Sequence, residues 1–265
     1  MKEINIIELK LLQLNILNDI SQFCESHHLR YYMAFGSLLG TIRHNGFIPW
    51  DDDVDIMMPR PDYEKFIKTY NAEKSSVYLR LLYPGIDKRY YTTFAKVHDT
   101  RTRYQEKLCK ETIYGVFVDV FPLDAYTNYF RYKMDLLLLR LASYKSKITH
   151  HKSGVIKNMG KSLIKMMLLP IPVNMLLNMA TWIRGRRNFE DCSMVYSDAG
   201  ITKLLPRELI DKSELHDFES LKVRIPSGYD GLLKIWYGDY MKLPPENERI
   251  LRHDAIIWWK EDFKK

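Results

Sequence analysis

The spacing of apolar and polar positions predicts a chain of alternating helices and strands. Residues 3–27 read as an amphipathic helix, with Ile4, Ile7, Leu11, Leu14, Leu17 and Ile20 at helical spacing and polar residues between them. His27 and His28 are expected to close it as C-terminal capping residues. Residues 30–35, rich in Tyr and apolar side chains, predict a strand; Gly36-Ser37 makes a turn, and residues 38–44 a short helix. Residues 53–58 form the next strand, in which Asp53 and Asp55 share one face while Val54 and Ile56 enter the core. Pro59 stops it, and Pro61 and Asp62 open a helix whose apolar side is Tyr63, Phe66, Ile67 and Tyr70. Residues 77–83 and 91–98 predict two strands joined by a Pro84-Gly85 turn, with 100–104 extending the sheet. Residues 115–124 are a buried strand by composition, interrupted by Asp119, with Asp124 placed to cap the following helix.

Beyond residue 128 the pattern changes. Residues 136–139 are wholly apolar, and 161–180 are rich in Leu and Met but broken by Pro170 and Pro172. Between Asn128 and Glu190 stand twelve Lys/Arg and two acids, Asp135 and Glu190, a surplus that exceeds the chain's net charge of +7 and leaves the rest of the chain slightly acidic. No stretch is long and uninterrupted enough for a spanning helix. Basic ends around an apolar middle suit either a helical insertion packed on the core or an interfacial helix on an anionic membrane surface. Nucleic acid is not expected as a partner, because the aromatics are not interleaved with the basic residues as stacking platforms. The last segment, 198–262, is mixed. It holds a helix over 229–237 and a polar and aromatic loop, 238–245, for which surface packing is favoured over a lid.

Totals narrow this little further. A length of 265 residues with 46% hydrophobic content supports a sizeable core. Cys24, Cys109 and Cys192 are far apart and form neither a zinc spacing nor a disulfide framework, and the first residues lack a signal-type apolar core. The expectation is a cytoplasmic protein, peripheral on the inner face of the cell membrane if the basic block touches lipid.

The chemistry concentrates in residues 36–56. Asp51, Asp52, Asp53 and Asp55 place four carboxylates in five residues, which repel one another unless a cation joins them. A divalent ion holding a phosphate fits, with Gly36 and Ser37 offering hydrogen bonds to phosphate oxygens and Arg43, His44, Arg60 and Lys96 as neutralising cations. The competing readings are a solvated acidic loop and a structural Ca²⁺ site. Asp119 needs a partner in its apolar strand, either the same metal or a buried cation.

Residues 36–63, with Arg43-His44, Gly46-Phe47-Ile48-Pro49-Trp50-Asp51-Asp52-Asp53, Asp55 and Met58-Pro59-Arg60, resemble the signature of the LicD transferases. Phe117-Val118-Asp119-Val120-Phe121-Pro122-Leu123-Asp124 is similar to the family's second block, and Tyr229-Asp230 with Tyr237-Gly238-Asp239-Tyr240-Met241 and Pro244-Pro245 resembles its third. The resemblance implies an α+β chain with a nucleotidyltransferase-like mixed sheet flanked by helices and carrying a basic helical insertion. The expected division is a catalytic core over 1–127, the insertion over 128–195, and a C-terminal segment over 196–265 that completes the site.

It further implies a metal-dependent transfer of phosphocholine from CDP-choline, or of another alcohol phosphate from its CDP-alcohol, to a sugar hydroxyl. The acceptor would be a lipid-linked or cell-envelope glycan such as lipopolysaccharide, teichoic acid or capsule. Asp53, Asp55 and Asp119 are the implied ligands of Mg²⁺ or Mn²⁺, and Asp119 is also a candidate base. Gly36, Ser37, Arg43, His44 and Lys96 are assigned to the donor's phosphates. Trp50, Tyr237 and Tyr240 are assigned to a trimethylammonium group, with ordinary packing as the competing reading for each. Alternatives on the same scaffold are a ribitol- or glycerol-phosphate transferase, an NTP-dependent nucleotidyltransferase, and a membrane-surface binding protein with a dead site.

Overall fold

The computed structural model describes residues 2–87, 89–90, 92–107, 112–126, 129–150, 170–184, 189–197, 203–250 and 255–263. Of the basic block, residues 151–169 and 185–188 fall outside these, as does Cys109. Helix α1 spans Ile6–Ser26, and Asn5 caps it by accepting the backbone N–H of Glu8 at 2.9 Å. Its buried face is Leu9, Leu12, Ile16, Leu17, Ile20, Phe23 and Cys24, while Ile7 and Leu11 are 71% and 57% exposed. The helix expected over 3–27 therefore exists, rotated from the face that Ile7 and Leu11 suggested. His27 caps it as expected, and its second ring nitrogen lies 2.7 Å from Glu73.

Strand β1 (Tyr32–Met33) leads into helix α2 (Phe35–His44), and strand β2 (Asp55–Pro59) into helix α3 (Arg60–Glu73). Then come β3 (Leu79–Leu82), β4 (Ala95–Asp99), β5 (Thr102–Glu106) and the ten-residue β6 (Phe117–Tyr126). Helices α4 (Tyr129–His150) and α5 (Val173–Arg184) follow, then β7 (Met194–Tyr196), β8 (Leu205–Pro206), β9 (Ser213–Phe218) and β10 (Leu221–Pro226). Helix α6 (Tyr229–Tyr237) and β11 (Ala255–Trp259) complete the order.

A seven-stranded mixed sheet is the frame, ordered β1-β2-β6-β4-β3, with β7 on the far half of β6 and β8 beyond it. Strands β2 and β6 run parallel, and the other pairs of this sheet are antiparallel. The fold class is α+β, as expected. Strand β5 does not extend this sheet; it pairs with β11 in a separate ribbon. Strand β6 is buried along its whole length, because α1, α3, α4 and α5 all pack against it. Two apolar cores result. The larger packs α1, α2, α3 and α6 on the sheet. The smaller joins Tyr126 and Tyr196 to Tyr132, Leu136, Leu139, Leu176 and Leu177 between α4 and α5.

Asp124 is not the helix cap expected of it. It lies inside β6 and takes two bonds from Arg60, Nε to Oδ1 at 2.6 Å and Nη2 to Oδ2 at 2.7 Å. Arg60 is thereby committed to a buried carboxylate and does not serve as a phosphate neutraliser.

Candidate active site

Register assembles the centre of the site. Asp55 opens β2 and is the ladder partner of Asp119 on β6, which is in turn the partner of Lys96 on β4. Neighbouring strands point paired residues to the same face. Three side chains remote in sequence thus form one row across the sheet. Lys96 Nζ lies 2.5 Å from Asp119 Oδ1 and 3.5 Å from the centroid of Phe117, with the rings of Phe94 and Tyr114 slightly further off. The buried partner that Asp119 required is therefore a lysine in an aromatic box.

Asp53 precedes β2 rather than lying within it, yet it faces the same cleft as Asp55. Val54 and Ile56 are fully buried, so the alternation expected at this point holds. The carboxylates of Asp51, Asp52 and Asp53 lie within 4.8 Å of one another. Burial, and then the charges of Asp53, Asp119 and Asp51, hold the carboxyl of Asp55 well above the usual carboxylate range. Lys96 offsets this in part. A divalent cation fits such a set of crowded, hard oxygen ligands that repel one another.

The Gly36-Ser37 pair stands at a helix start, as expected of it, and also shapes the acidic side of the cleft. Both residues lie in the first turn of α2, which begins at Phe35 with a positive φ of 43°. Ser37 is buried, and its hydroxyl accepts the backbone N–H of Asp55 at 2.8 Å, which fixes the head of β2. A side chain at position 36 would meet Asp51 Oδ2 at 2.8 Å, so glycine there gives the Asp51 carboxylate its room.

Around these groups is an open cleft of about 760 Å³. One wall is acidic, formed by Asp51, Asp53, Asp55 and Asp119. The facing wall comes from α6 and the loop after it, with Trp236, Tyr237, Asp239, Tyr240, Lys242 and Pro244 among its residues. The loop over 238–245, for which surface packing was favoured, is thus part of the cleft. Of the residues singled out in the sequence, Gly36, Arg43, Trp50, Asp53, Asp55, Asp119, Tyr237 and Tyr240 line it, whereas Ser37, His44 and Lys96 stand behind it. His44 accepts Arg43 Nε at Nε2 (3.0 Å) and meets Trp50 edge-on at 6.2 Å, so it props up both.

Arg249 is the residue that sequence reasoning passed over. Its guanidinium sits 5.4 Å from the centroid of Trp50, and its Nε donates to the Pro244 carbonyl at 3.0 Å. Arg43 is anchored to the same loop through Nη1 on the Tyr240 carbonyl, at 2.9 Å. Burial and then the charge of Arg249 lower the pKa of Arg43. Among the described residues neither arginine has a carboxylate within 4 Å, so the two cations repel across the mouth of an acid-lined cleft. An anion between them relieves that repulsion. A trace was present in the sequence, since Arg249 follows the Pro244-Pro245 block by four residues.

Clustered carboxylates on adjoining strands share one cleft with Arg43 and aromatic rings, an arrangement suited to phosphate esters. The chain belongs to the LicD family: the family described as "LicD/FKTN/FKRP, nucleotidyltransferase domain" matches residues 28–174. It is similar to the lipopolysaccharide cholinephosphotransferase LicD of Haemophilus influenzae, with 29% identity over 264 residues, covering 96% of this chain and 97% of that protein. It also resembles an uncharacterised protein of Rickettsia prowazekii, 23% identical over 158 residues, 55% of this chain and 52% of the relative. Among the described residues no helix is long and apolar enough to cross a membrane.

Proposed function

We propose that this phosphotransferase moves phosphocholine, or a closely similar alcohol phosphate, from a CDP-alcohol to a sugar hydroxyl of a lipopolysaccharide-type or other envelope glycan. The observation that carries the reading is the composition of one cleft. Asp51, Asp53, Asp55 and Asp119 line it together with the rings of Trp50, Trp236, Tyr237 and Tyr240 and the cation Arg43. The named activity of the Haemophilus influenzae relative, similar along nearly the whole chain, points the same way.

Asp53, Asp55 and Asp119 would hold Mg²⁺ or Mn²⁺, which supplies charge neutralisation of the donor diphosphate and acidification of the acceptor hydroxyl. Arg43 and Arg249 bind the phosphate oxygens that face away from the carboxylates. Trp50 and the tyrosines of the opposite wall receive the alcohol, and a quaternary ammonium gains cation–π attraction there. The acceptor oxygen forms a bond to the phosphorus bearing the alcohol, the bond from that phosphorus to CMP breaks, and CMP leaves. Asp119 is already bonded to Lys96, so we assign it to charge placement and the hydroxyl proton to the half-buried Asp51, which lines the cleft. A CDP-activated donor sets the reaction in the cytoplasm.

The test is incubation of the protein with Mg²⁺, a glycan acceptor and, in separate reactions, CDP-choline, CDP-ribitol, CDP-glycerol and CTP. CMP release fastest from CDP-choline is the expected result. Pyrophosphate release from CTP, without CMP from any CDP-alcohol, would make the chain a nucleotidyltransferase instead. CMP release confined to CDP-ribitol or CDP-glycerol would overturn the choline assignment and leave the transferase reading intact.

A further inference from the structure

The α4–α5 pair carries a surface that the transfer reaction leaves unused. On α4 the exposed side chains include Phe130, Met134 and Leu137, and on α5 Met175, Met179 and Trp182. Each set recurs at i, i+4 and i+7, which is one stripe along a helix. The opposite sides of both helices are already spent in the smaller core. Phe130, Met134, Trp182 and Ile183 line one hollow, and Met175, Met179, Trp182 and Ile183 line the next, so the two stripes join at Trp182. An exposed apolar field of this extent marks a binding surface.

Charge selects the occupant. The only acid in the two helices is Asp135, which is fully buried and accepts the Tyr126 hydroxyl. The cations Arg131, Lys133 and Arg140 stand on α4, with Lys133 Nζ reaching over the ring of Tyr129 at 5.0 Å. An apolar stripe with flexible basic residues and no exposed acid matches a lipid–water interface, where the rings enter the acyl boundary and the long cations reach lipid phosphates. A second copy of this chain would bring like charge against like charge, and protein interfaces are depleted of lysine.

We propose that the Phe130/Met134/Leu137 and Met175/Met179/Trp182 stripes dock the protein on an anionic bilayer surface, both helices lying in the headgroup plane. The docking does not rest on the identity of the donor or the acceptor. It is tested with the full chain by flotation with vesicles of phosphatidylcholine alone and of phosphatidylcholine mixed with phosphatidylglycerol. Floating with the mixed vesicles at low salt is expected, with partitioning at least roughly tenfold weaker on pure phosphatidylcholine and reduced by salt. Replacing Met179→Gln and Trp182→Gln together is expected to lower partitioning by about tenfold or more while leaving the melting temperature and CMP release in solution unchanged, because both side chains are already exposed. Arg131→Gln with Lys133→Gln is expected to flatten the salt dependence. Wild-type protein that stays with the soluble fraction in both vesicle types would overturn the proposal, whether residues 151–169 or a second copy covers the stripes. So would Met179/Trp182 variants that float as well as wild type.

Discussion

Strand β6 places two carboxylates in opposite circumstances. Asp119, near its start, joins Asp55, Asp53 and Asp51 in one cleft, where their mutual repulsion keeps the Asp55 carboxyl well above its usual range despite Lys96. Asp124, five residues on, is matched atom for atom by a single bidentate arginine. The first arrangement crowds like charge, which suits it to the proposed cation and phosphate, and the second pairs its charge with a cation of the fold. Burial alone therefore does not mark a working acid. What marks it is a surplus of like charge that the fold holds in place with devices such as the Ser37 hydroxyl on the Asp55 N–H.

The sharpest way to break this comparison is to change one acid on each side. Asp55→Asn removes a proposed metal ligand and relieves repulsion among buried carboxylates. CMP release is expected to fall by roughly 10³-fold or more, with the melting temperature equal to or above that of wild type. Near-normal turnover in this variant would remove Asp55 from the metal set. Arg60→Met does the reverse. It leaves Asp124 buried without its bidentate partner, and denaturant titration should show a loss of about 3–5 kcal/mol. Adding Asp124→Leu should recover most of it, because an apolar pair replaces a buried ion pair at little net loss. An equal loss of stability from Asp55→Asn and Arg60→Met would mean that the two ends of β6 do the same work.

Much of this was legible in the sequence, and the exceptions share a cause. The crowding of Asp51–Asp55 and the apolar strand around Asp119 are local patterns. Their meeting on one face follows from alternation and from the family resemblance. The residue beside Asp119 was not legible as its partner, because Lys96 reaches it only through the β4–β6 register. Asp124 was misjudged for a similar reason: β6 runs on to Tyr126 rather than giving way to a helix at Asp124, and Arg60 comes from 64 positions away. The buried face of α1 was missed because two apolar stripes compete along it. The set Leu9, Leu12, Ile16, Ile20 and Phe23 runs longer than Ile7 and Leu11, and the sheet selects it.

A smaller effect separates buried groups that function from those that only pack. His98, on β4 two residues from Lys96, is buried, accepts the Gly115 N–H at Nδ1 and leaves Nε2 without a partner among the described residues. Burial, and then the charges of Lys260 and Arg80, lower its pKa to about 3. Its unfolded value is about 6.5. Stability from the neutral imidazole is therefore complete above about pH 6.5 and is lost as pH falls, because the unfolded chain takes up a proton that the native state refuses. Between about pH 7 and 5 the loss from this group is about 2 kcal/mol. Urea titrations at both pH values should show wild type losing about 2 kcal/mol more between about pH 7 and 5 than His98→Gln does, with CMP release at neutral pH little changed. An equal loss in the two proteins would show that His98 already titrates freely in the native state.

The smallest expected effect is the most informative about the donor. Arg249 makes no ion pair with the cleft's carboxylates among the described residues, yet its charge acts on Arg43 and it lies over Trp50, both of which line the cleft. If its part is to receive a phosphate oxygen, Arg249→Ala weakens donor binding without altering the bond-breaking geometry. KM for CDP-choline should then rise about tenfold, equivalent to about 1.4 kcal/mol, with kcat within about twofold of wild type. Arg249→Lys should recover part of the loss, since the charge remains while the planar fork is gone. Inorganic pyrophosphate should compete with the donor less effectively against the alanine variant than against wild type. If Arg249 served only to pack Trp50, the lysine variant would recover nothing and pyrophosphate would compete equally well with both, which would return the anion site to Arg43 alone.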